Sequence, residues 1–371
     1  MKKLHVFTNI QPRTGVHHRG ARRFLTSAIM VMTVAGLMNG VAFAQDNLTA
    51  ANIVRGGAGF CSGTATLLFH SCGFEAQDDF FKEQAICLNV SNNAERTACF
   101  ADTIAAQNEN QQLCRAQFTA RRNVCKSLGE NRYAPNFDPA LFDTNFRRLT
   151  TPNPYFPLTI GNTWSYAGGD ETISIEILNE TKLIDGVRCL VVRDRVTVDG
   201  ELVEDTDDWF AQAKNGDVYY CGEEVKDFES FDGDSPRLPE LTSIDGSFKV
   251  GRDGDKPGIL FPRILTVGKV RRLEFSVANA EDVVQILSTT YRFGSTPALD
   301  RFVPRQLAER FCAAGNCVVT KDFTPLSPGA LEHKYYARGI GLFLEVKPNT
   351  GEAVQLVNCN FDPRCAGLPT P

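Results

Sequence analysis

The sequence predicts an α+β protein in which a disulfide-stapled N-terminal helical hairpin precedes a curved antiparallel β-sheet, either a half-barrel or a sandwich. Six cysteines between residues 61 and 125 recur at helical spacings. From residue 154 onward, apolar residues instead alternate with period two, and Asp-Gly or Asn-Gly pairs separate the β-prone runs. Because no helical pattern interrupts these runs, the strands are expected to form an antiparallel sheet.

Residues 1–44 are typical of a signal peptide. A basic leader without acidic residues precedes an apolar stretch from Phe24 to Val41, and Ala42-Phe43-Ala44 matches a signal peptidase site. A transmembrane anchor is the alternative, but Thr26 and Thr33 are among the polar residues that dilute the apolar stretch. Residues 45–60 are small, polar and glycine-rich, and we expect a flexible N-terminal segment there.

Cleavage of this leader would leave an acidic protein. The chain has 39 basic and 44 acidic residues, and the leader contains only basic ones. A negative charge disfavours binding to nucleic acid and to anionic membranes. No later stretch reaches the ~18 apolar residues of a membrane span. We therefore expect a periplasmic or secreted protein with no nucleic-acid partner and no membrane span in the mature chain.

The cysteine content indicates disulfides. All 12 cysteines follow the leader, and an even number of cysteines in an exported protein most often forms disulfides. A zinc site is the alternative, but no C-x-x-C pattern occurs, and only His70 and His333 would survive cleavage.

Residues 61–130 are predicted to form the helical hairpin. Their six cysteines are separated by 11, 15, 12, 15 and 11 residues, a series that reads the same in both directions. Intervals of 11 and 15 residues are close to three and four helical turns. The Asn-rich stretch at residues 89–93 favours a turn. An antiparallel hairpin folded there would bring three nested pairs level: Cys61 with Cys125, Cys72 with Cys114, and Cys87 with Cys99.

Residues 131–153 are rich in Pro, Asn and Asp, and are predicted to link the hairpin to a β domain at residues 154–357. Three tight-turn pairs, Asp185-Gly186, Asp199-Gly200 and Asn215-Gly216, divide residues 171–223 into a four-stranded meander. Further strands are predicted at residues 271–277, 283–293, 317–323, 332–337, 341–346 and 353–357, before a tail at residues 358–371.

Three stretches of this domain resemble a known family. They read NPYFPL and GNTWSY between Asn153 and Tyr166, EDTDDWFAQ and NGDVYY between Glu204 and Tyr220, and EHKYYARGIGL from Glu332 to Leu342. They are similar to an uncharacterised family of secreted bacterial proteins, over most of residues 72–347. The resemblance implies export but no activity, and residues 299–316 depart from the family pattern.

A hydrolase is the catalytic alternative. Gly59-Phe60-Cys61-Ser62-Gly63 has the form of a nucleophile elbow with cysteine in the nucleophile's place, and His333 is a candidate base. However, a nucleophile elbow requires a preceding strand, and Cys61 is instead expected to pair with Cys125 in the hairpin. The sequence therefore assigns no catalytic residue.

Calcium is the one cofactor that the composition suggests. Acidic residues far outnumber basic ones between Asp199 and Asp234, and Asp232-Gly233-Asp234 and Asp253-Gly254-Asp255 are oxygen-rich turns of the kind that bind calcium. Neither has the spacing of an EF-hand, and exposed acidic hairpins explain the same composition. No metal ligand is assigned.

Four aromatic residues are candidates for lining a ligand site on the concave face of the sheet: Trp164, Tyr166, Trp209 and Tyr335. Curved antiparallel sheets often hold ligands there, although aromatic residues in strands more often fill the core. The remaining cysteines are expected to form disulfides. The pairs considered are Cys189 with Cys317, Cys221 with Cys312, and Cys359 with Cys365, although six cysteines allow fifteen connectivities.

The functional expectation follows from these observations. The sequence shows no coherent set of acid, base and nucleophile, so it favours a non-catalytic envelope or secreted protein that binds a ligand or an envelope partner. A secreted hydrolase, supported by calcium, is the alternative.

Overall fold

A computed structural model describes Thr49, Asn52 and residues 59–371. The predicted signal peptide and most of the predicted flexible segment lie outside the described residues. The fold class is confirmed: a disulfide-linked helical region is followed by a large antiparallel sheet that curls nearly into a barrel.

The hairpin consists of helix α1 (Phe60–Leu88) and helix α2 (Asn93–Leu128). Asn92 begins α2, because its side-chain oxygen accepts hydrogen bonds from two free backbone N–H groups of the first turn. Gly129 ends α2 with a φ of 87°, a conformation that favours glycine.

Three disulfides join α1 and α2, and they are the nested pairs that the symmetric spacing predicts: Cys61–Cys125, Cys72–Cys114 and Cys87–Cys99. These crosslinks fix the register of the two helices. The hairpin contacts the barrel through α2, where Gln117, near the middle disulfide Cys72–Cys114, donates a hydrogen bond to the backbone oxygen of Leu326.

Sixteen strands form the sheet in the described part of the chain. They are β1 (Thr163–Gly168), β2 (Glu171–Ile184), β3 (Val187–Val198), β4 (Glu201–Gln212), β5 (Val218–Glu224), β6 (Asp227–Glu229), β7 (Glu240–Ser243), β8 (Phe248–Lys249), β9 (Lys256–Phe261), β10 (Val270–Arg272), β11 (Glu274–Phe275), β12 (Val283–Tyr291), β13 (Cys317–Phe323), β14 (Leu331–Ala337), β15 (Gly341–Val346) and β16 (Ala353–Cys359). Their order is β10-β12-β13-β14-β15-β16-β1-β2-β3-β4-β5-β9-β11, with β6, β7 and β8 as short additions.

The sheet closes almost completely. Its two edge strands, β10 and β11, are consecutive in the chain and therefore lie close together. Only Leu273 separates β10 from β11. Arg271 of β10 bridges the remaining gap: its Nε and Nη2 donate hydrogen bonds to the backbone oxygens of Ile259 and Leu260 in β9, at 2.9 Å and 3.0 Å. The sheet is therefore more closed than a half-barrel.

The meander from β2 to β5 turns where the sequence predicts. Asp185 and Gly186 have φ values of 46° and 79°, and Asp199 and Gly200 have φ values of 52° and 81°. Two consecutive positive φ angles define the tight turn whose twist matches that of the flanking strands.

Two segments cover the outside of the barrel. Residues 131–153 pack over β3–β5, where Phe142 pairs with Ala213 in an isolated bridge and contributes to a buried cluster with Trp209. Elsewhere, two short helices form where the sequence predicts none, α3 (Pro297–Asp300) and α4 (Arg305–Cys312). Phe311 of α4 packs on Phe343 of β15, with ring centroids 5.1 Å apart.

Two predicted disulfides of the β domain are wrong. The structure instead joins Cys189 to Cys221 and Cys312 to Cys317, whereas Cys359–Cys365 forms as expected. The predicted pair Cys189–Cys317 cannot form, because five strands lie between β3 and β13 in the sheet. Cys312 ends α4 only five residues before Cys317, so these neighbours pair locally.

Candidate functional site

A pocket of about 250 Å³ lies where the hairpin meets the barrel, and we call it the junction pocket. Helical periodicity places its lining residues on one face of each helix. From the hairpin these are Phe60, Cys61, Thr64 and Ala65 of α1 and Arg121, Val124, Cys125 and Leu128 of α2. From the barrel they are Arg272, Phe275, Glu281 and Pro325, and Gly129, Asn131, Arg132 and Tyr133 complete the lining.

A disulfide and several hydrogen bonds join the start of α1 to the end of α2 beside the junction pocket. Cys61–Cys125 crosslinks the two helices within the lining itself. The backbone N–H groups of Phe60 and Ser62 donate hydrogen bonds to Glu130, at 3.0 Å and 2.8 Å, and the Ser62 hydroxyl donates a further one. The bonds from Ser62 lower the pKa of Glu130, so this carboxylate stays charged and keeps the two helix ends together.

A buried ion pair fixes α2 to the barrel. Arg121 and Glu281 are only 6% and 2% exposed, and their closest contact is 2.9 Å, from Nε to Oε2. Nη2 of Arg121 donates to the other carboxylate oxygen at 3.1 Å, and that oxygen also accepts the backbone N–H of Ala278 at 2.8 Å. The charge of Glu281 is therefore engaged by Arg121.

Arg272 stands beside this pair without an equivalent partner. Its residue is 8% exposed, and its guanidinium carbon lies 4.2 Å from the ring centroid of Phe275 and 5.5 Å from that of Tyr133. Within the described chain, its Nε and Nη1 make no hydrogen bond. Burial lowers the pKa of Arg272, although Glu281 and Tyr133 oppose the shift. A guanidinium nevertheless keeps its proton in proteins, so the site holds a buried positive charge.

Two aromatic residues contact the arginines of the pocket: Tyr133 lies beside Arg272, and Phe60 lies beside Arg132. The Tyr133 hydroxyl donates a hydrogen bond to the backbone oxygen of Pro257 at 2.9 Å, and its ring meets Phe275 edge-on at 5.4 Å. Burial raises the pKa of Tyr133 to about 12, so the hydroxyl remains neutral. At the rim, the guanidinium of Arg132 lies over the ring of Phe60 at 5.1 Å.

The junction pocket therefore has both basic and apolar lining residues. The lining contains three arginines and one glutamate, together with Ala65, Val124, Leu128 and the Cys61–Cys125 disulfide. Such a site can receive a negatively charged group beside the arginines. Its chemistry is that of recognition, because arginine is a poor proton donor or acceptor for catalysis at neutral pH.

A second buried polar region occupies the barrel interior, and we call it the acidic lumen. It consists of buried carboxyl groups from seven strands around one lysine, Lys334 of β14. The carboxyl groups are those of Glu171, Asp194, Glu204, Asp208, Glu223, Asp322, Glu332 and Glu345.

Charges within the acidic lumen compensate one another. The Nζ atom of Lys334 lies 3.3 Å from Glu345, 3.7 Å from Glu332 and 3.9 Å from Asp322. Burial opposes its charge, but these three carboxylates hold the pKa of Lys334 well above its usual value. Burial raises the pKa of Asp194, and neighbouring carboxylates raise it further. Burial thus favours the protonated form of carboxyl groups that lack a cation.

The acidic turns proposed for calcium are exposed at Asp232, Asp234 and Asp253, whereas Asp255 is buried and accepts a hydrogen bond from the backbone N–H of Lys249. Asp232 faces Arg237 at 3.6 Å, and Asp253 faces Arg252 at 3.1 Å. Among the residues that the structure describes, no group of three or more His, Cys, Asp or Glu side chains is placed to hold a metal ion.

The four predicted ligand-lining aromatic residues do not converge. Trp164 and Tyr166 share a recess inside the barrel with room for about one water molecule, and they donate hydrogen bonds to the backbone oxygens of Ile340 and Leu342. Trp209 lies in the outer cluster with the Nζ atom of Lys182 3.5 Å from its ring centroid. Tyr335 donates a hydrogen bond to the backbone oxygen of Leu299 in α3.

The two residues considered for a hydrolase, Cys61 and His333, lie on different elements, α1 and β14. Cys61 is oxidised in its disulfide and therefore offers no thiolate, which corrects the nucleophile-elbow alternative. His333 lies on β14, where burial and the nearby charge of Lys321 lower its pKa. No sequence pattern singles out the pocket residues Arg121, Tyr133, Arg272 and Glu281. One hint was available, since Arg121 precedes Cys125 by four residues and so shares its inward face.

Comparison with protein-family models finds no match, and comparison with curated proteins finds none either. A crystal structure described as "a putative lipoprotein" from Parabacteroides distasonis aligns with 57% of this chain and 100% of its own, at 12% identity and a TM-score of 0.27. A similarity at that level supports no conclusion about this chain. No helix among the described residues is both long and apolar enough to cross a bilayer.

Proposed function

We propose that this chain is an exported, non-catalytic binding protein that holds a small anion in the junction pocket. The observation that carries the proposal is the guanidinium of Arg272, a buried cation that lines a cavity of about 250 Å³ and forms no ion pair with a carboxylate of the described chain. A buried charge without a partner is unfavourable. Its Nε and Nη1 are enclosed by the protein, so an anion in the pocket would compensate the charge from the part of the guanidinium that lines the cavity.

The charge balance of the pocket favours an anion over a neutral ligand. Glu281 is engaged by Arg121, so its carboxylate does not also bond Arg272. Carboxylate and phosphate oxygens form charge-assisted hydrogen bonds with guanidinium groups, which are about twice as strong as those between neutral groups.

Export is supported by the oxidation state of the cysteines. All of them form disulfides in the described chain, and disulfides persist in oxidising compartments outside the cytoplasm. The predicted signal peptide and the resemblance to secreted bacterial proteins agree with a periplasmic or secreted location.

Thermal denaturation in the presence of anions tests the proposal. The mature protein, with its disulfides intact, is heated in a low-anion buffer with increasing acetate, benzoate or inorganic phosphate at constant ionic strength. We expect at least one of them to raise the melting temperature, because a ligand at 100 times its dissociation constant adds about 2.7 kcal/mol.

Two variants determine whether the effect belongs to the pocket. Arg272→Gln should abolish the anion-dependent gain. Arg188→Gln removes an exposed arginine of β3 and should leave the gain unchanged. A gain that survives in Arg272→Gln, or no gain with any of the three anions, would refute the proposed function.

A further inference from the structure

We propose that the natural ligand of the junction pocket is a small amphiphilic organic acid. Its carboxylate would bond Arg272, and its apolar body would pack on the hairpin wall. This inference rests on the proposed function and specifies the class of ligand.

The apolar wall is the first argument. Ala65, Val124 and Leu128 of the hairpin line the cavity together with the Cys61–Cys125 disulfide. An inorganic anion bound at Arg272 would leave this wall in contact with water. An apolar group against the wall removes that surface from water, which is favourable in proportion to the area covered.

The net charge is the second argument. Of the two buried guanidinium groups, that of Arg121 is already bonded by Glu281, so one buried charge remains for the ligand. Arg132 lies at the exposed rim and stacks on Phe60. A monoanion therefore matches the buried part of the pocket better than a phosphate dianion, which would bring an uncompensated charge into it.

The volume is the third argument. About 250 Å³ lies just below the usual range for sites of drug-sized ligands. A volume just below that range suits a ligand smaller than a typical drug. One carboxylate attached to a single ring or a short branched chain has this size, and benzoate is a suitable probe.

Isothermal titration calorimetry with benzoate, acetate, inorganic phosphate and benzyl alcohol tests the class. We expect benzoate to bind at least about tenfold more tightly than acetate or phosphate, because its ring covers the apolar wall. Benzyl alcohol, which has the ring without the charge, should bind more weakly than benzoate. Leu128→Ala should lower the affinity for benzoate severalfold and leave that for acetate unchanged.

Two substitutions of Arg272 complete the test. Arg272→Gln should abolish benzoate binding. Arg272→Lys keeps the charge with fewer and differently placed donors, so it should retain weakened binding and show that the loss in Arg272→Gln is not a failure to fold.

The possible failures are distinguishable. If acetate and phosphate bind as tightly as benzoate and all three require Arg272, the ligand class is wrong and the proposed function stands. If none of the anions binds, both the ligand class and the proposed function are wrong. Benzoate binding that persists in Arg272→Gln would overturn both the ligand assignment and the proposed function.

Discussion

The junction pocket and the acidic lumen are both buried and both charged, but they differ in how the charge is neutralised. In the acidic lumen, carboxyl groups surround Lys334, and burial raises the pKa of several of them, including Asp194 and Glu332. In the junction pocket the excess charge is positive and belongs to arginines. Carboxyl groups can take up protons from water, whereas a guanidinium does not release its proton at physiological pH.

This difference is why we propose a ligand for only one of the two regions. In the acidic lumen, Lys334 pairs with carboxylates, and raised pKa values favour the protonated form of carboxyl groups such as Asp194. Arg121 is paired with Glu281, whereas Arg272 forms no ion pair in the described chain, so an anion from outside would compensate its charge. Binding is therefore expected at the hairpin–barrel junction instead of on the concave face of the sheet.

The largest expected effect comes from the acidic lumen. Lys334→Met leaves at least one buried carboxylate without its cation and should lower the free energy of unfolding by about 3–5 kcal/mol at pH 7, measured by urea denaturation. Lys226→Met, which removes a surface lysine paired with Glu224, should cost less than about 1 kcal/mol. Equal losses in the two variants would show that Lys334 does not neutralise the interior.

The ion pair of the junction pocket should give the next largest effect. Arg121→Met leaves Glu281 buried without its partner and should lower the free energy of unfolding by about 3 kcal/mol. The double variant Arg121→Met/Glu281→Met should recover most of that loss in the same measurement. If the double variant is as unstable as the single one, packing and not charge explains the loss.

The proton occupancy of the acidic lumen predicts a pH dependence. The folded state raises the pKa of Asp194, so the stability from this group is fully present below about pH 4, its unfolded value. That stability is lost as the pH rises through the higher folded value. Asp194→Asn should therefore gain about 1–2 kcal/mol over the wild type at pH 8 and little at pH 4, measured by urea denaturation. A gain independent of pH would contradict a titrating Asp194.

The smallest expected change in the free energy of unfolding distinguishes Arg272 from Arg121. In an anion-free buffer, Arg272→Met should raise the free energy of unfolding by about 1 kcal/mol, because it removes a buried charge that lacks hydrogen bonds. Its sign is opposite to that of Arg121→Met. A loss similar to that of Arg121→Met would mean that Arg272 is satisfied within the protein.

The fold could be predicted from sequence where the signals are local. Cysteine spacing gave the register of α1 and α2, and the Asp-Gly pairs gave the turns between β2, β3 and β4. The pairing of Cys189 with Cys221 depends instead on how distant strands are ordered in the sheet, and no local pattern encodes that order.

The candidate site could not be predicted, because its residues come from two regions of the chain that are far apart in sequence. Arg121 lies on α2, Tyr133 follows the hairpin, Arg272 lies on β10 and Glu281 precedes β12. None belongs to a motif, and an arginine on a helix or strand is usually exposed. Their function depends on burial at the junction, which only the packing of the hairpin on the barrel produces.

A crystal structure of the mature protein with 4-bromobenzoate tests the central claim most directly, since anomalous scattering from bromine locates the ring. The account predicts a bromine peak beside the apolar hairpin wall near Val124 and Leu128, with the carboxylate within hydrogen-bond distance of Arg272. A saturating soak that leaves the junction pocket without ligand, or a carboxylate bound elsewhere, would contradict it.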